Sequence, residues 1–571
     1  MKKIIFAIVC VFSLSGCSDD ILNLDPLAES TSSTFFANEA ELELALTGVY
    51  SGLYMQGGYA MPMQMISDFG GSELGLLRSG GVFGFDEIGA GTHSASSGGI
   101  ADLYRTLYRA IGRANNLLTN MDKAEGVSQE RMDEVRGQAL ALRAYFYTYL
   151  VNFFGDVPYI DFVPGSPQES LLPRTDAATV IDNVLADFQT AVGLLPEKFS
   201  VPGRVTKAVA LALRARAALY AGRYDVAATS AKAVIDMEEA AGLILYPDYE
   251  ELFTPAAEGN AEGMLIMPFQ EGFRTTQSPT ALGSRNRGSY TTFAPSQVLL
   301  DSYEAIDGLP IDESPLYDPS NPFANRDPRL HASLVVPQAE WSGIIFESHP
   351  DSLTFRNADG TPGGANADCR TVKWPAAFCG YLFKKYTDEP RQMDRNGNSD
   401  LDFMILRYAE VLLTYAEAKI ELNQIDDSVL EAINRVKERG YGGEAFPRVT
   451  TTDQSELRRI IRRERKIELA GEGTRYFDIR RWGIAEKVMP NLVIGRILDP
   501  STATLVPAID EDGHITYDNS TGQWDVNTDA RFPNAQNRQF DASRDYLLPI
   551  PQAEIDTYNG LGQSLRQNPG Y

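Results

Sequence analysis

The residues of this chain that could do chemistry are few, and most point to anchoring and binding rather than bond-making. Cys17 closes a short leader: Lys2 and Lys3 give it a positive start, Ile4 to Ser15 are mostly apolar, and Leu14-Ser15-Gly16 places small residues before the cysteine, as in a bacterial lipobox. An apolar stretch of about twelve residues is too short to cross a bilayer as a helix. The reading is therefore cleavage after a signal peptide of residues 1–16, acylation of the Cys17 thiol and amine with palmitate-type chains, and a lipid tether. Cys10 leaves with the leader, so only Cys369 and Cys379 remain. They stand ten positions apart in a loop-like stretch and could form a disulfide in an oxidising compartment; two separate thiols are the alternative. Trp374 lies between them and Arg370 beside the first, so a bridge would pin a platform showing one indole and one guanidinium. Asp394, Asn396, Asn398 and Asp400 supply oxygen at alternate positions, as calcium loops do. Ser399 stands where such a loop needs glycine and Ile405 where it needs glutamate, so a solvated polar turn is the competing reading.

Catalytic signatures are missing. His93, His331, His349 and His514 are far apart, with no H-E-x-x-H helix, no G-x-S-x-G elbow and no phosphate-cradling loop. Gly89-Ala90-Gly91 begins like a dinucleotide turn, but Ser94 replaces the third glycine. Among the many acidic side chains a carboxylate pair is the one catalytic option left, and the chain is not read as an enzyme. The formal net charge is −26. Removal of Lys2 and Lys3 makes the mature chain two units more acidic, which repels nucleic acid. The basic run Arg458, Arg459, Arg462, Arg463, Arg465 and Lys466 is interleaved with Glu456, Glu464, Glu468, Glu472 and Asp478, a spacing that suits salt bridges along and between helices.

Positioning these residues falls to a mostly helical chain, too long for one ordinary core and expected to form two interlocked lobes. Apolar periodicity predicts helices over 39–53, 101–120, 131–154 and 177–195. Thr206 reads as an N-cap for a helix to Ala221, and Gly222 turns the chain into 224–236. That pair resembles a tetratricopeptide repeat, and 403–422 with 427–439 reads as a second such pair. No fixed repeat period recurs. The prediction is a helical-pair scaffold carrying a large loop-rich insertion, 240–401, with the Gly- and Ser-rich stretch 70–99 as a long irregular loop. No later segment is apolar enough to span a membrane.

Several blocks, in order behind the lipobox, carry a resemblance: Tyr104–Leu118 (YRTLYRAIGRANNLL), Ala141–Pro158 (ALRAYFYTYLVNFFGDVP), Arg204–Tyr220, Asn325–Leu330 (NRDPRL), Arg407–Ala418 (RYAEVLLTYAEA), Arg463–Gly483 (RERKIELAGEGTRYFDIRRWG), Leu548–Gln552 and the terminal QNPGY. Together they resemble the SusD/RagB family of nutrient-binding outer-membrane lipoproteins of Bacteroidetes. Ser18-Asp19-Asp20 is likewise similar to the surface-export signal of such lipoproteins. The resemblance implies a SusD-like fold split into 17–239 and 240–571 and a place on the cell exterior, tethered to the outer membrane. It also implies a role as capture protein and lid for a SusC-like TonB-dependent barrel, without catalysis or cofactor. The expected ligand is an oligosaccharide or polysaccharide fragment. The alternatives are a peptide or other nutrient, or a surface structural or adhesion role without a captured ligand. Loops 59–99 and 285–381 gather aromatic and polar side chains, and from these the expected ligand contacts are Asp68, Phe85, Tyr290, Arg370 and Trp374. Trp374 would be the stacking platform, and Asp68 and Arg370 the hydroxyl partners.

Overall fold

Local capping rules place the helices. The structure, a computed structural model, describes residues 35–71, 74–76, 84–199, 203–373, 379–387, 398–443, 445–490, 492–497, 506–517 and 534–571. The expected sites at Cys17, Trp374, Asp394 and Asn396 lie outside these residues. Helix α1 (Glu39–Tyr50) starts at Asn38, whose side chain accepts from the Glu41 amide. Helices α2 (Gly98–Asn120) and α3 (Gln129–Phe154) follow, α3 with Ser128 as its N-cap. Asp176 caps α4 (Ala177–Leu194) and Thr206, as expected, caps α5 (Lys207–Tyr220) by accepting from the Val209 amide at 3.3 Å. Gly222 takes a left-handed φ of +67° at the turn into α6 (Tyr224–Asp236), a conformation glycine adopts without strain.

Each helix of this series packs on the next, α2 on α3 and so on to α6, which then packs on α7 (Tyr408–Glu421), although 237–407 separate the two in sequence. Helix α7 continues into α8 (Asp427–Gly440) and also meets α9 (Gln454–Glu468). The scaffold is thus one uninterrupted stack of helices from which a long segment leaves and to which it returns. Its two ends are joined by strands β2 (Gly263–Met267) and β8 (Phe403–Arg407), antiparallel with Met267 opposite Phe403 and Gly263 opposite Arg407. This corrects the helix expected over 403–422: its first five residues are a buried strand. Phe-Met-Ile-Leu is a continuous apolar run, which suits a fully buried strand as well as a helix, and the distant partner decides. Inside the insertion β4 (Glu340–Trp341), β5 (Ile344–Ile345), β6 (Thr354–Asn357) and β7 (Pro362–Ala365) form an antiparallel meander.

The stretch 70–99 is also less irregular than expected. It contains β1 (Leu74–Leu76) and a helical turn at Phe85–Ala90. Strand β1 pairs with β3 (Phe293–Pro295), Leu76 opposite Phe293, which joins the two loop regions that sequence singled out.

The interleaved charges of the terminal half are buried together. Glu468 of α9 receives Arg329 at 2.9 Å, Arg407 at 2.6 Å and Arg439 of α8. Arg407 also reaches Glu262 and Glu472, Lys385 reaches Glu472, and Arg329 reaches Asp327 and Glu464. Lys437 and Arg463 converge on Glu304. Every one of these side chains except Arg463 is at most 5% exposed. Burial alone would push the carboxyls up, but the surrounding cations win: Glu468 and Glu472 are held below their ordinary range and Glu304 falls to about 2. A second node joins Glu417 of α7 to Arg465, to Arg481 of α10 (Arg475–Arg481) and to the Trp482 indole N–H at 2.6 Å. The expected salt-bridge reading of the basic run therefore holds, from buried Arg465 at Glu417 to the partly exposed pairs Arg458–Glu421 and Arg459–Glu313.

The last residues tie the end of the chain to α3, Arg174 and His93. The Asn568 amide donates to the Phe154 and Leu548 carbonyls at 2.8 and 2.7 Å and accepts from Arg174. Gln567 both accepts from and donates to the Ile550 backbone at 2.7 Å. The Tyr571 hydroxyl meets His93 Nε2 at 2.5 Å and donates toward the Leu547 carbonyl at 3.2 Å.

Candidate ligand-binding face

Two of the five expected ligand contacts are core residues. Asp68 is 2% exposed, and its carboxylate accepts from the Gly473 and Arg475 amides at 3.0 and 3.1 Å. It satisfies free N–H groups at the start of α10, where a negative charge also meets the positive end of the helix. Phe85 is fully buried, edge-on to Tyr476 with centroids 5.5 Å apart. Neither is available to a ligand, and both assignments are corrected on that ground.

The disulfide call is corrected too: Cys369 and Cys379 are free and buried. The Cys369 thiol donates to the Pro350 carbonyl at 3.2 Å, while Cys379 packs on Ala294 and Val493. Burial pushes the Cys379 thiol up to about 12, against the opposing pull of Arg538 and Arg370, so it stays protonated. The 366–370 turn is pinned by other means. Asp368 accepts from Ser284 Oγ at 2.5 Å, from the Arg285 amide at 2.8 Å and from Asn286 Nδ2 at 2.8 Å. Asn286 Oδ1 in turn accepts from the Ala367 amide at 2.7 Å. Arg370, half-buried, thus belongs to a turn tied to the loop that ends in Tyr290. Of the calcium-loop residues described, Asn398 accepts weakly from Gln277 at 3.4 Å, and Ser399 pairs with the Thr276 backbone. No group of metal-ligating side chains occurs among the described residues, Asp400 included.

What remains is an aromatic face at the seam between the two loop regions. Tyr290 is 51% exposed, and its ring lies 6.3 Å from that of half-buried Tyr59, inclined at 47°. Tyr59 in turn packs edge-on against Phe293, and Phe293 on Phe69 at 4.3 Å. The backbone here is strained: Tyr59, Ala60 and Thr291 have φ of +61°, +49° and +45°. Non-glycine residues in that region cost about 1–3 kcal/mol each and persist only where surroundings enforce them. The enforcement is visible. The Tyr59 carbonyl accepts from the Gln277 amide at 2.9 Å, the Ala60 carbonyl from Gln56 at 2.6 Å, and Thr291 Oγ1 donates to the Gly283 carbonyl at 2.8 Å. The Tyr290 amide donates to the Thr280 carbonyl at 2.8 Å. Arg287, three residues before Tyr290, has its Nε buried without a partner. Phe273, 86% exposed, tips the tight turn that leads to Gln277.

Chemically this is a preorganised surface of tilted rings. It can pack against C–H-rich faces and donate to hydroxyls, and it offers no nucleophile. Sequence reasoning found Tyr290 and missed Tyr59, Arg287 and Phe273. The signal for Tyr59 was weak, a tyrosine between Gly58 and Ala60, since positive φ at such residues is set by tertiary bonds.

Similarity to known proteins now fits the geometry. The SusD family model matches residues 265–571, and a model described as "Starch-binding associating with outer membrane" matches 88–219. The chain belongs to the SusD family. It is 27% identical to SusD-like protein P2 of Formosa agariphila across all of both chains. A crystal structure of a SusD-like carbohydrate binding protein from Bacteroides fragilis superposes with a TM-score of 0.78 at 28% identity, covering 92% of this chain and 99% of the other. A surface glycan-binding protein A from Bacteroides fluxus shares the fold, with a TM-score of 0.65 at 21% identity over 94% and 100% of the chains. The helix-rich fold is therefore that of SusD-like structures. None of the helices among the described residues is long and apolar enough to cross a membrane.

Proposed function

We propose that the chain is a surface lipoprotein that captures a glycan without chemically changing it and passes it to a SusC-like TonB-dependent barrel. The observation that carries the ligand part is the Tyr59–Tyr290 pair, half-exposed and fixed by a strained, bonded backbone. Rings held this way lose little freedom when a sugar packs on them. Membership in the SusD family and the likeness to a solved carbohydrate binding protein support the same ligand class. The outer-membrane and transporter parts are supported by family membership, by the second family model's description and by the Cys17 lipobox. No cofactor enters this reading. Stacking with a few hydrogen bonds gives modest affinity, on the order of micromolar to millimolar.

Affinity electrophoresis of the mature chain against neutral and acidic polysaccharides, beside calorimetry with a peptide digest, tests the ligand class. Retardation by at least one polysaccharide is expected. Binding only to peptides would replace the glycan with a peptide nutrient. Solubilisation of native membranes in mild detergent should recover the chain with a partner of barrel-transporter size, and repeated recovery alone would remove the partner.

A further inference from the structure

A cavity lies far from the aromatic seam in sequence, between α2 and the last helix, α11 (Gln552–Gly560). Its volume is about 430 Å³, in the range of small-molecule sites. One wall is a doubled Tyr-Arg pair. Tyr104-Arg105 and Tyr108-Arg109 are four residues apart on α2, so each tyrosine stacks above the other and each arginine above the other. The tyrosine rings are 4.8 Å apart at 52°. Tyr108 is half-buried and anchored, its hydroxyl donating to the Pro158 carbonyl at 2.7 Å. Tyr104 is 4% exposed, and its hydroxyl is buried without a well-formed hydrogen bond among the described residues. Arg105 pairs with Asp102 at 3.0 Å, whereas Arg109 makes no bond to a described residue. Across the cavity Glu554 presents a carboxylate raised above its ordinary range by partial burial, against the pull of Arg105.

The chemistry is that of a polyol site. A tyrosine wall packs on C–H groups, Arg109 donates to hydroxyl oxygens, and Glu554 accepts from hydroxyl hydrogens. Arg109 and Glu554 line the same cavity, so a group that both gives and takes hydrogen bonds can satisfy both, as a sugar hydroxyl does and a carboxylate or ammonium does not. The packing role of this wall in the fold accounts for Tyr104 and Leu107, both buried, but not for exposed Arg109 beside half-exposed Glu554. We infer that the cleft between α2 and α11 is a second carbohydrate subsite, lined by Tyr108, Arg109 and Glu554, that holds a polysaccharide by a chain segment other than the one on Tyr59 and Tyr290. The inference rests on the glycan reading above. Two weak sites on one polymer reinforce each other, because the second contact forms within an already tethered chain.

The test compares four proteins by retention in gels containing the polysaccharide that retards the wild type: wild type, Tyr59→Ala/Tyr290→Ala, Arg109→Ala/Glu554→Gln, and the combination. Arg109 and Glu554 lie outside the core, so their replacement should leave the melting temperature unchanged, which is measured alongside. Retention of the Arg109→Ala/Glu554→Gln protein is expected to fall about fivefold or more, and the combination to lose what the aromatic variant retains. Unchanged retention of Arg109→Ala/Glu554→Gln, with the wild type still retarded, overturns the second subsite and leaves the glycan reading standing. A wild type retarded by no polysaccharide overturns both.

Discussion

Arg407 shows how much of this chain's chemistry serves the fold. It faces Glu262, Glu468 and Glu472 at 2.6–2.9 Å, all four side chains at most 5% exposed. Removing one member of such a set leaves buried charge unpaired, which typically costs about 3–5 kcal/mol. Arg407→Met should therefore lower stability by that amount in urea unfolding, whereas Tyr290→Ala, half-exposed, should change it by less than about 1 kcal/mol. An Arg407→Met protein as stable as wild type would contradict the role given to the network. His93 offers a pH-dependent counterpart. Desolvation lowers its titration from 6.5 to about 4, opposed by Asp545 and reinforced by Arg544 and Arg480. Between those values the unfolded chain binds the proton and the folded one does not, so this contribution is whole above pH 6.5 and lost as pH falls toward 4. Asp402, raised to about 6 by burial, acts in the opposite sense over an overlapping range. The difference between wild type and His93→Gln isolates the histidine: the wild-type melting temperature should fall more steeply from pH 6.5 to 4 than that of the variant. Parallel curves would remove His93 as a titrating group.

At the level of elements, the terminal QNPGY acts as a clasp. The Asn568 side chain closes three bonds that join the end of α3, the Leu548 segment and Arg174. Asn568→Ala removes the Leu548 carbonyl's side-chain donor and leaves the Phe154 carbonyl only Arg174 at 3.4 Å, and should cost about 1–3 kcal/mol in urea unfolding, a loss that Arg566→Ala at a nearby exposed position should not show. Much at this scale was legible beforehand. The helices at 39–50, 129–154 and 224–236 follow apolar periodicity, and Thr206 announced its cap. Strand β8 was not legible, since its Phe-Met-Ile-Leu run fits two structures and its partner lies well over a hundred residues earlier. Gly473 illustrates the same limit. Its φ is +85° and a Cβ would strike the Gln64 backbone, a contact between segments some four hundred residues apart. The ligand face was half legible. Tyr290 is a surface tyrosine in a loop, but Asp68 and Phe85 stand in similar surroundings of sequence and turn inward, because the start of α10 needs a carboxylate acceptor and Tyr476 and Phe153 a third ring.

For the whole molecule, the stack of helices α2 to α8 is a rigid frame, and the insertion stapled by β2 and β8 carries most of the aromatic face. A frame of this kind can sit against a partner while the insertion meets a ligand. The proposed lipid anchor at Cys17 would set where that happens: Cys17→Ala should move the chain from membrane to soluble fractions, and a variant that stays membrane-bound would contradict the tether. The central claim is that the mature chain holds a glycan on Tyr59 and Tyr290, and isothermal titration calorimetry of wild type and Tyr59→Ala/Tyr290→Ala with an oligosaccharide of a retarding polysaccharide tests it most directly. Wild-type binding in the micromolar to millimolar range is expected, with a loss of about 1–3 kcal/mol in the variant while its circular-dichroism spectrum stays that of the wild type. Equal affinity of the two proteins for the oligosaccharide would contradict it.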